Sequence, residues 1–145
     1  MALIIKEFGR VRLIEFNRPE QSNAFNCQQF VETREALSAA QLDSNIAVVV
    51  LTGAGNAFSA GADLEDMRRK TKGTEEPTDF PEFLDVLAAF NKPLVAAVNG
   101  VGIGIGMTLL AYCDLVLISE KARLRAPYPQ LGLAPEAGSS GLFPQ

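Results

Sequence analysis

Apolar positions recur along this chain with two alternating periods. Over Val11 to Phe16 they alternate with charged residues, Val11 and Leu13 against Arg12 and Glu15, the period-two pattern of a half-buried strand. Leu3 to Phe8 precedes it with only Gly9-Arg10 between, and the two predict a hairpin. Asn17-Arg18-Pro19 ends the second strand, because proline lacks an amide donor and biases its predecessor away from helix. Phe30, Leu37 and Ala40 then recur at helical spacing behind Asn26 and Gln29, which are spaced as in a capping box, so a helix is predicted from about Cys27 to Gln41. Ile46 to Thr52 is a continuous run rich in β-branched residues, suited to a strand covered on both faces in a parallel sheet.

A small-residue loop, Ala57 to Leu64, leads into a helix predicted at about Asp63 to Arg69. Lys70 to Asp79 is polar, with Gly73 and Pro77, and reads as a surface loop; Phe83, Leu84, Leu87 and Phe90 restore helical spacing over Phe80 to Phe90. Leu94 to Val98 and Asp114 to Ser119 predict two further buried strands, flanking a glycine-alternating loop and an apolar helix from about Ile105 to Tyr112. Strands and helices alternate, which predicts an α/β fold with right-handed crossovers. Ligands in such folds sit where small-residue loops leave the strand ends.

Gly102, Gly104 and Gly106 concentrate the candidate chemistry. The first-turn N–H groups of the helix they enter lack intrahelical partners and carry the positive end of its dipole, a receptor for negative charge. A dinucleotide fingerprint needs glycine at the first, third and sixth places, yet the sixth place is Ile105 counted from Gly100 and Met107 counted from Gly102. No lysine lies between Lys92 and Lys121, so the phosphate-loop pattern is absent too. Two readings stay open: an oxyanion hole, in which backbone N–H groups await charge that develops in a reaction, and close helix packing over a glycine-rich turn.

Composition narrows the chemistry. The 145 residues fit one domain, 1–145, and 48% hydrophobic with 21% charged residues describes a folded, soluble one. A formal charge of −4 argues against a broad nucleic-acid or anionic-membrane surface. Cys27 and Cys113 are too isolated for a zinc motif or a disulfide framework and suit a reducing cytoplasm. With no histidine, Ser-His-Asp and Cys-His mechanisms and His-ligated metals are excluded, and no metal site is expected. Lys6 and Arg10 interrupt the apolar start, so it does not read as a signal peptide, and Asn99 with the glycines interrupts the longest apolar stretch, so no membrane span is expected. The sequence stops at Phe143-Pro144-Gln145 without a cap or polar tail, as expected of a fragment.

Two loops, Ser59-Ala60-Gly61 and Gly104-Ile105-Gly106, each offer bare amides at a helix start. Two N–H donors converging on one oxygen are what an acyl thioester needs to become an enolate, each donor being worth about 3 kcal/mol of barrier. Without histidine the acid or base must be a carboxylate. Residues 126–140 place one, Glu136, among apolar and small neighbours, a dry setting of the kind that suits general bases. The plainer reading is that Glu136 begins a helix after Pro135, where an acid complements the dipole.

Residues 17–24 (NRPEQSNA), 50–64 (VLTGAGNAFSAGADL), 92–106 (KPLVAAVNGVGIGIG) and 113–124 (CDLVLISEKARL), in this order and at these distances, resemble the enoyl-CoA hydratase/isomerase (crotonase) family over nearly the whole chain. The resemblance implies an α/β fold built as a spiral of ββα units, which binds an acyl-CoA thioester and holds its oxygen in an oxyanion hole. The two donors would be the N–H groups of Ala60 and Ile105. Ala24, the segment Ala60, Gly61, Ala62, Asp63 and Leu64, and Gly104 would line the CoA and acyl path. It further implies no cofactor beyond the coenzyme A of the substrate, a homotrimer or hexamer at full length, and a C-terminal helical region that is missing here.

Hydratases of the family carry one glutamate on the helix after the glycine loop and a second in a later strand-loop, places held here by Thr108 and Tyr128. Residues 131–140 (LGLAPEAGSS) are instead similar to the Δ3,Δ2-enoyl-CoA isomerase branch, in which one glutamate, at the place of Glu136, shuttles the proton. The resemblance thus implies an isomerase of cytoplasmic fatty-acid metabolism or β-oxidation. The alternatives are a hydratase using Glu136 in an unusual way and a non-catalytic acyl-CoA binder or scaffold subunit. Plainer roles are expected for Asp63 as a helix cap, Asp114 as a strand-entry anchor and Cys113 as a small buried hydrophobe. Arg68-Arg69-Lys70 reads as a solvated face, or by the resemblance as a neighbour of the CoA phosphates.

Overall fold

After an opening hairpin, each of three repeats of the chain gives one strand to each of two sheets. The computed structural model describes residues 1–71 and 80–143, with the side chains of 69–71 outside the description. β1 (Leu3–Phe8) and β2 (Val11–Phe16) form the expected antiparallel hairpin, turning at Gly9 with φ +59°. β3 (Val48–Gly53), β5 (Leu94–Val98) and β7 (Leu115–Ile118) extend it in parallel, in the order β1-β2-β3-β5-β7. After each of these three the chain lays down a short strand, β4 (Ala57–Ser59), β6 (Val101–Ile103) and β8 (Arg123–Arg125), and these pair in parallel as a second sheet.

Helices follow the short strands and complete the ββα repeat. α1 (Cys27–Leu42) follows the hairpin; α2 (Leu64–Thr71) and α3 (Phe80–Ala89) follow β4; α4 (Ile105–Thr108), continued by a 3-10 turn over Leu109–Tyr112, follows β6; α5 (Tyr128–Leu131) and α6 (Ser139–Leu142) follow β8. The second sheet corrects the expectation of a loop over 101–103. A three-residue strand has no period to read, and β6 exists only because β4 and β8 flank it. The surface loop expected over 70–79 lies mostly outside the described residues, although 70 and 71 belong to α2.

Phe16, Phe25, Phe30, Phe58 and Phe83 form the aromatic centre of the core, with neighbouring ring centroids 4.9 to 5.8 Å apart in edge and tilted arrangements. Phe58 anchors β4 and Phe25 the segment before α1, so the core fixes two of the loops that form the site. Asn26 caps α1 by accepting the Gln29 N–H at 2.9 Å. The reciprocal half of a capping box is absent: the Gln29 side chain is fully buried and donates to Asn23 O at 3.2 Å.

β7 departs most from expectation. It was expected to be buried, yet Leu115, Leu117 and Ile118 are 52%, 56% and 53% exposed, because β7 pairs with β5 on one side and, among the described residues, with no strand on the other. Among the described residues no helix is long and apolar enough to cross a membrane.

Candidate functional site

The paired strands β4 and β6 deliver two turns to the same place. Gly61 leaves the first and Gly104 the second, and a Cβ on either would lie 3.8 Å from the other's Cα. Gly61 has φ +95° and its Cβ would stand 2.7 Å from Ile103 O, so no larger residue fits without parting the turns. Gly104, with φ +54°, caps α4 by backbone alone, accepting the N–H groups of Met107 and Thr108 at 2.9 Å each. The packing reading of the glycines holds beside this, since a Cβ on Gly106 would meet Ser59 O at 2.3 Å.

One residue past each of these glycines comes an N–H with no acceptor among the described residues. Ile105 is the first residue of α4, where no intrahelical partner exists. Ala62 faces Phe25 across a parallel bridge made by Phe25 N–H to Gly61 O (2.7 Å) and Asp63 N–H to Phe25 O (2.9 Å). A parallel ladder of this kind uses the groups on either side of Ala62 and turns its own N–H away from Phe25.

Ala60 is therefore not the donor in this loop. Its N–H already donates to Ser22 O at 2.9 Å, because the 18–24 segment folds across it, and the unoccupied donor is Ala62, two residues on. That segment is held by fully buried Asn23, whose Oδ1 accepts the Arg18 N–H at 2.9 Å and whose Nδ2 donates to Ala54 O at 2.9 Å and Ala57 O at 2.8 Å. Arg18 also donates to Ala24 O and, at 3.0 Å, to Asp63 Oδ2. Asp63 Oδ1 accepts the Glu65 N–H at 2.9 Å, the cap expected of it. Partial burial pushes the Asp63 carboxyl upward, but the Arg18 guanidinium and the Glu65 and Asp66 N–H groups outweigh it and hold the carboxyl below its ordinary value.

Beside the two turns opens a cavity of about 400 Å³. Ala24, Ala60, Gly61, Ala62, Asp63, Leu64, Gly104 and Glu136, all singled out from the sequence, line it. Ile105 does not; its side chain is buried in the core, and the expectation for it concerns the N–H alone. Gln21, Met67, Ile103, Pro127, Leu131 and Leu133 also line it and were not foreseen, because an apolar or amide side chain carries no chemical signal of its own, even inside the motifs that hold Gln21, Ile103, Leu131 and Leu133.

Glu136 is half-buried in the irregular segment between α5 and α6. It does not begin a helix: α6 starts three residues later behind Gly138, and the Glu136 carbonyl accepts the Ser139 N–H at 3.0 Å. The next residue, Ala137, has φ +52°, a left-handed conformation that costs a residue with a Cβ about 1 kcal/mol. Tyr128, α5's first residue, lines the cavity beside Glu136. Burial, and the nearby negative charge of Glu136, push its phenol above the ordinary value, so it stays a neutral hydroxyl. The Thr108 and Ser139 hydroxyls lie next to it, and all three are buried without a partner in hydrogen-bond geometry.

Of the two acids in the lining, Asp63 is held as an anion by Arg18, and Glu136 is the other. A carboxylate and the unoccupied Ala62 N–H in the lining of one mostly apolar cavity, with the unoccupied Ile105 N–H next to lining Gly104, are the groups needed to stabilise an enolate and move its proton. Asp114 and Cys113 have the plainer roles expected: Asp114 Oδ2 accepts the Leu94 N–H at 2.8 Å, and burial pushes the Cys113 thiol up to about 12.

The family model described as Enoyl-CoA hydratase/isomerase matches residues 7–145. The chain is 41% identical over 138 residues to 2,3-dehydroadipyl-CoA hydratase of Escherichia coli (strain K12), covering 95% of itself and 54% of that protein. It is 37% identical over 148 residues to Enoyl-CoA delta isomerase 2 of Rattus norvegicus, covering 99% of itself and 38% of that protein. Among solved structures, the enoyl-CoA hydratase EchA8_6 from Mycobacterium marinum superposes with a TM-score of 0.93 at 44% identity, over 100% of this chain and 69% of that one. The chain thus spans about half the length, or less, of these two curated relatives.

Proposed function

Because this chain belongs to the enoyl-CoA hydratase/isomerase family, with the crotonase fold, we propose that its cavity takes an acyl-CoA thioester and that it moves the double bond of a 3-enoyl-CoA to the 2-position. In this reading the Ala62 and Ile105 N–H groups hold the thioester oxygen as it gains charge. Glu136 takes the C2 proton, the electron pair spreads through the dienolate, and the same carboxylic acid returns the proton at C4. One base suffices. No cofactor beyond the substrate's own coenzyme A enters, and assembly as a homotrimer or hexamer in cytoplasmic β-oxidation belongs to the same proposal.

The observation that carries this reading is the pairing of Glu136 with a neutral Tyr128 in the cavity wall. Adding water across a 2-enoyl-CoA by two acids needs a second carboxylate, and the places where family hydratases carry theirs are hydroxyls here, Thr108 and Tyr128. The relatives bear both names, hydratase and isomerase, so the test must separate the reactions. With a 3-enoyl-CoA the protein is expected to form the conjugated 2-enoyl-CoA, and Glu136→Gln to abolish this while leaving acyl-CoA binding by calorimetry intact. Formation of 3-hydroxyacyl-CoA from a 2-enoyl-CoA would instead assign a hydratase. Binding with neither turnover would leave an acyl-CoA binder.

A further inference from the structure

The 3-10 turn that continues α4 ends at Tyr112, and its hydroxyl donates to the carbonyl of Ala137 at 2.9 Å. That carbonyl belongs to a backbone that would not keep its shape unaided: Ala137 and Gly138 are consecutive left-handed residues, φ +52° and +65°, directly after Glu136. The contact is close on both sides of the peptide, since a Cβ on Gly138 would lie 3.3 Å from the Tyr112 hydroxyl and the Ala137 side chain is buried in the core. Ile105 to Tyr112 is a single helical stretch of eight residues. Its first residue, next to Gly104 of the cavity lining, carries the unoccupied N–H, and its last grips the backbone beside Glu136.

We propose that Tyr112 is a positioning residue, whose bond to Ala137 O sets the Glu136 carboxylate at a fixed offset from the Ile105 N–H. The inference rests on the reading of Glu136 as the proton carrier and adds what aims it. Proton abstraction from C2 requires the carboxylate and the oxyanion donors to meet the same substrate at once, and a misplacement of about 1 Å lowers such rates up to about a hundredfold. Tyr112 is outside the cavity lining and its hydroxyl is engaged by Ala137 O, so acyl-CoA binding should not depend on it.

Kinetics of 3-enoyl-CoA isomerisation by the wild-type chain, Tyr112→Phe, Glu136→Gln and the double variant test this, with unfolding midpoints measured alongside. Tyr112→Phe is expected to lower kcat roughly ten- to hundredfold with KM within about twofold. The double variant should be no slower than Glu136→Gln alone, because Tyr112 acts only through Glu136. Full kcat in Tyr112→Phe while Glu136→Gln is inactive would overturn the role of Tyr112 and leave Glu136 in place. A lowered midpoint or raised KM with kcat intact would overturn it as well, making the bond merely structural. Undiminished turnover by Glu136→Gln would overturn the reading beneath it.

Discussion

Arg18 Nη2 stands 3.0 Å from Asp63 Oδ2, tying two loops forty-five residues apart into one wall of the cavity. The first loop carries Ser22, whose carbonyl occupies the Ala60 N–H; the second carries Ala62, whose N–H has no acceptor among the described residues. With side chains 18% and 15% exposed, the pair is mostly shielded from water. Because the Asp63 carboxyl is held below 3.8, its stabilisation is fully present above that pH and is lost as pH falls through the folded value. Asp63→Asn is expected to lower stability by about 1 to 2 kcal/mol near neutrality, and its deficit against wild type should shrink below about pH 4. Urea unfolding of both proteins across pH 3 to 7 measures it.

Gly61 and Gly104 make separable predictions. Alanine at 61 would place its Cβ 2.7 Å from Ile103 O at φ +95°, so the turns must part and about 3 kcal/mol or more of stability should go with them. Alanine at 104 has room, its nearest neighbour being Gly61 Cα at 3.8 Å, and meets only the left-handed backbone, a loss of about 1 kcal/mol. Thermal unfolding of the two variants should rank them in that order.

Lys92 closes the far end of α1. Its ammonium donates to the carbonyls of Ala40, Asp43 and Ile46 at 2.6, 2.6 and 2.8 Å, at the helix end and the following turn, where Asp43 O also accepts the Ile46 N–H at 3.1 Å. Lys92→Met keeps the stem and removes the donors, and denaturant unfolding should show a loss of about 2 to 3 kcal/mol.

The Cys113 thiol, pushed up to about 12 by burial and the Asp114 charge, is protonated throughout the physiological range. Iodoacetamide at pH 8 should therefore leave Cys113 of the folded protein unlabelled over hours and label it within minutes in denaturant, as peptide mass spectrometry would show.

Much of this was legible in the order of side chains. Alternation over 11–16 specified β2, helical spacing specified α1 and α3, and the β-branched run from 46 specified β3, because each pattern records which side chains face the core. The four motifs, read together, led to the family, and the apolar setting of residues 126–140 led to Glu136, which the structure brings to the same cavity as Ala62 and Gly104.

Tertiary structure decided what depends on partners. Whether Ala60 or Ala62 keeps an idle N–H follows from where Ser22 O falls, nearly forty residues away. The three-residue strands of the second sheet and the exposed flank of β7 are likewise properties of neighbours. Sequence pattern by itself determined the direction of side chains, since periodicity is local. The assignment of backbone donors to acceptors, on which the site turns, was settled only when distant segments met, because every main-chain amide is chemically alike until another segment occupies it.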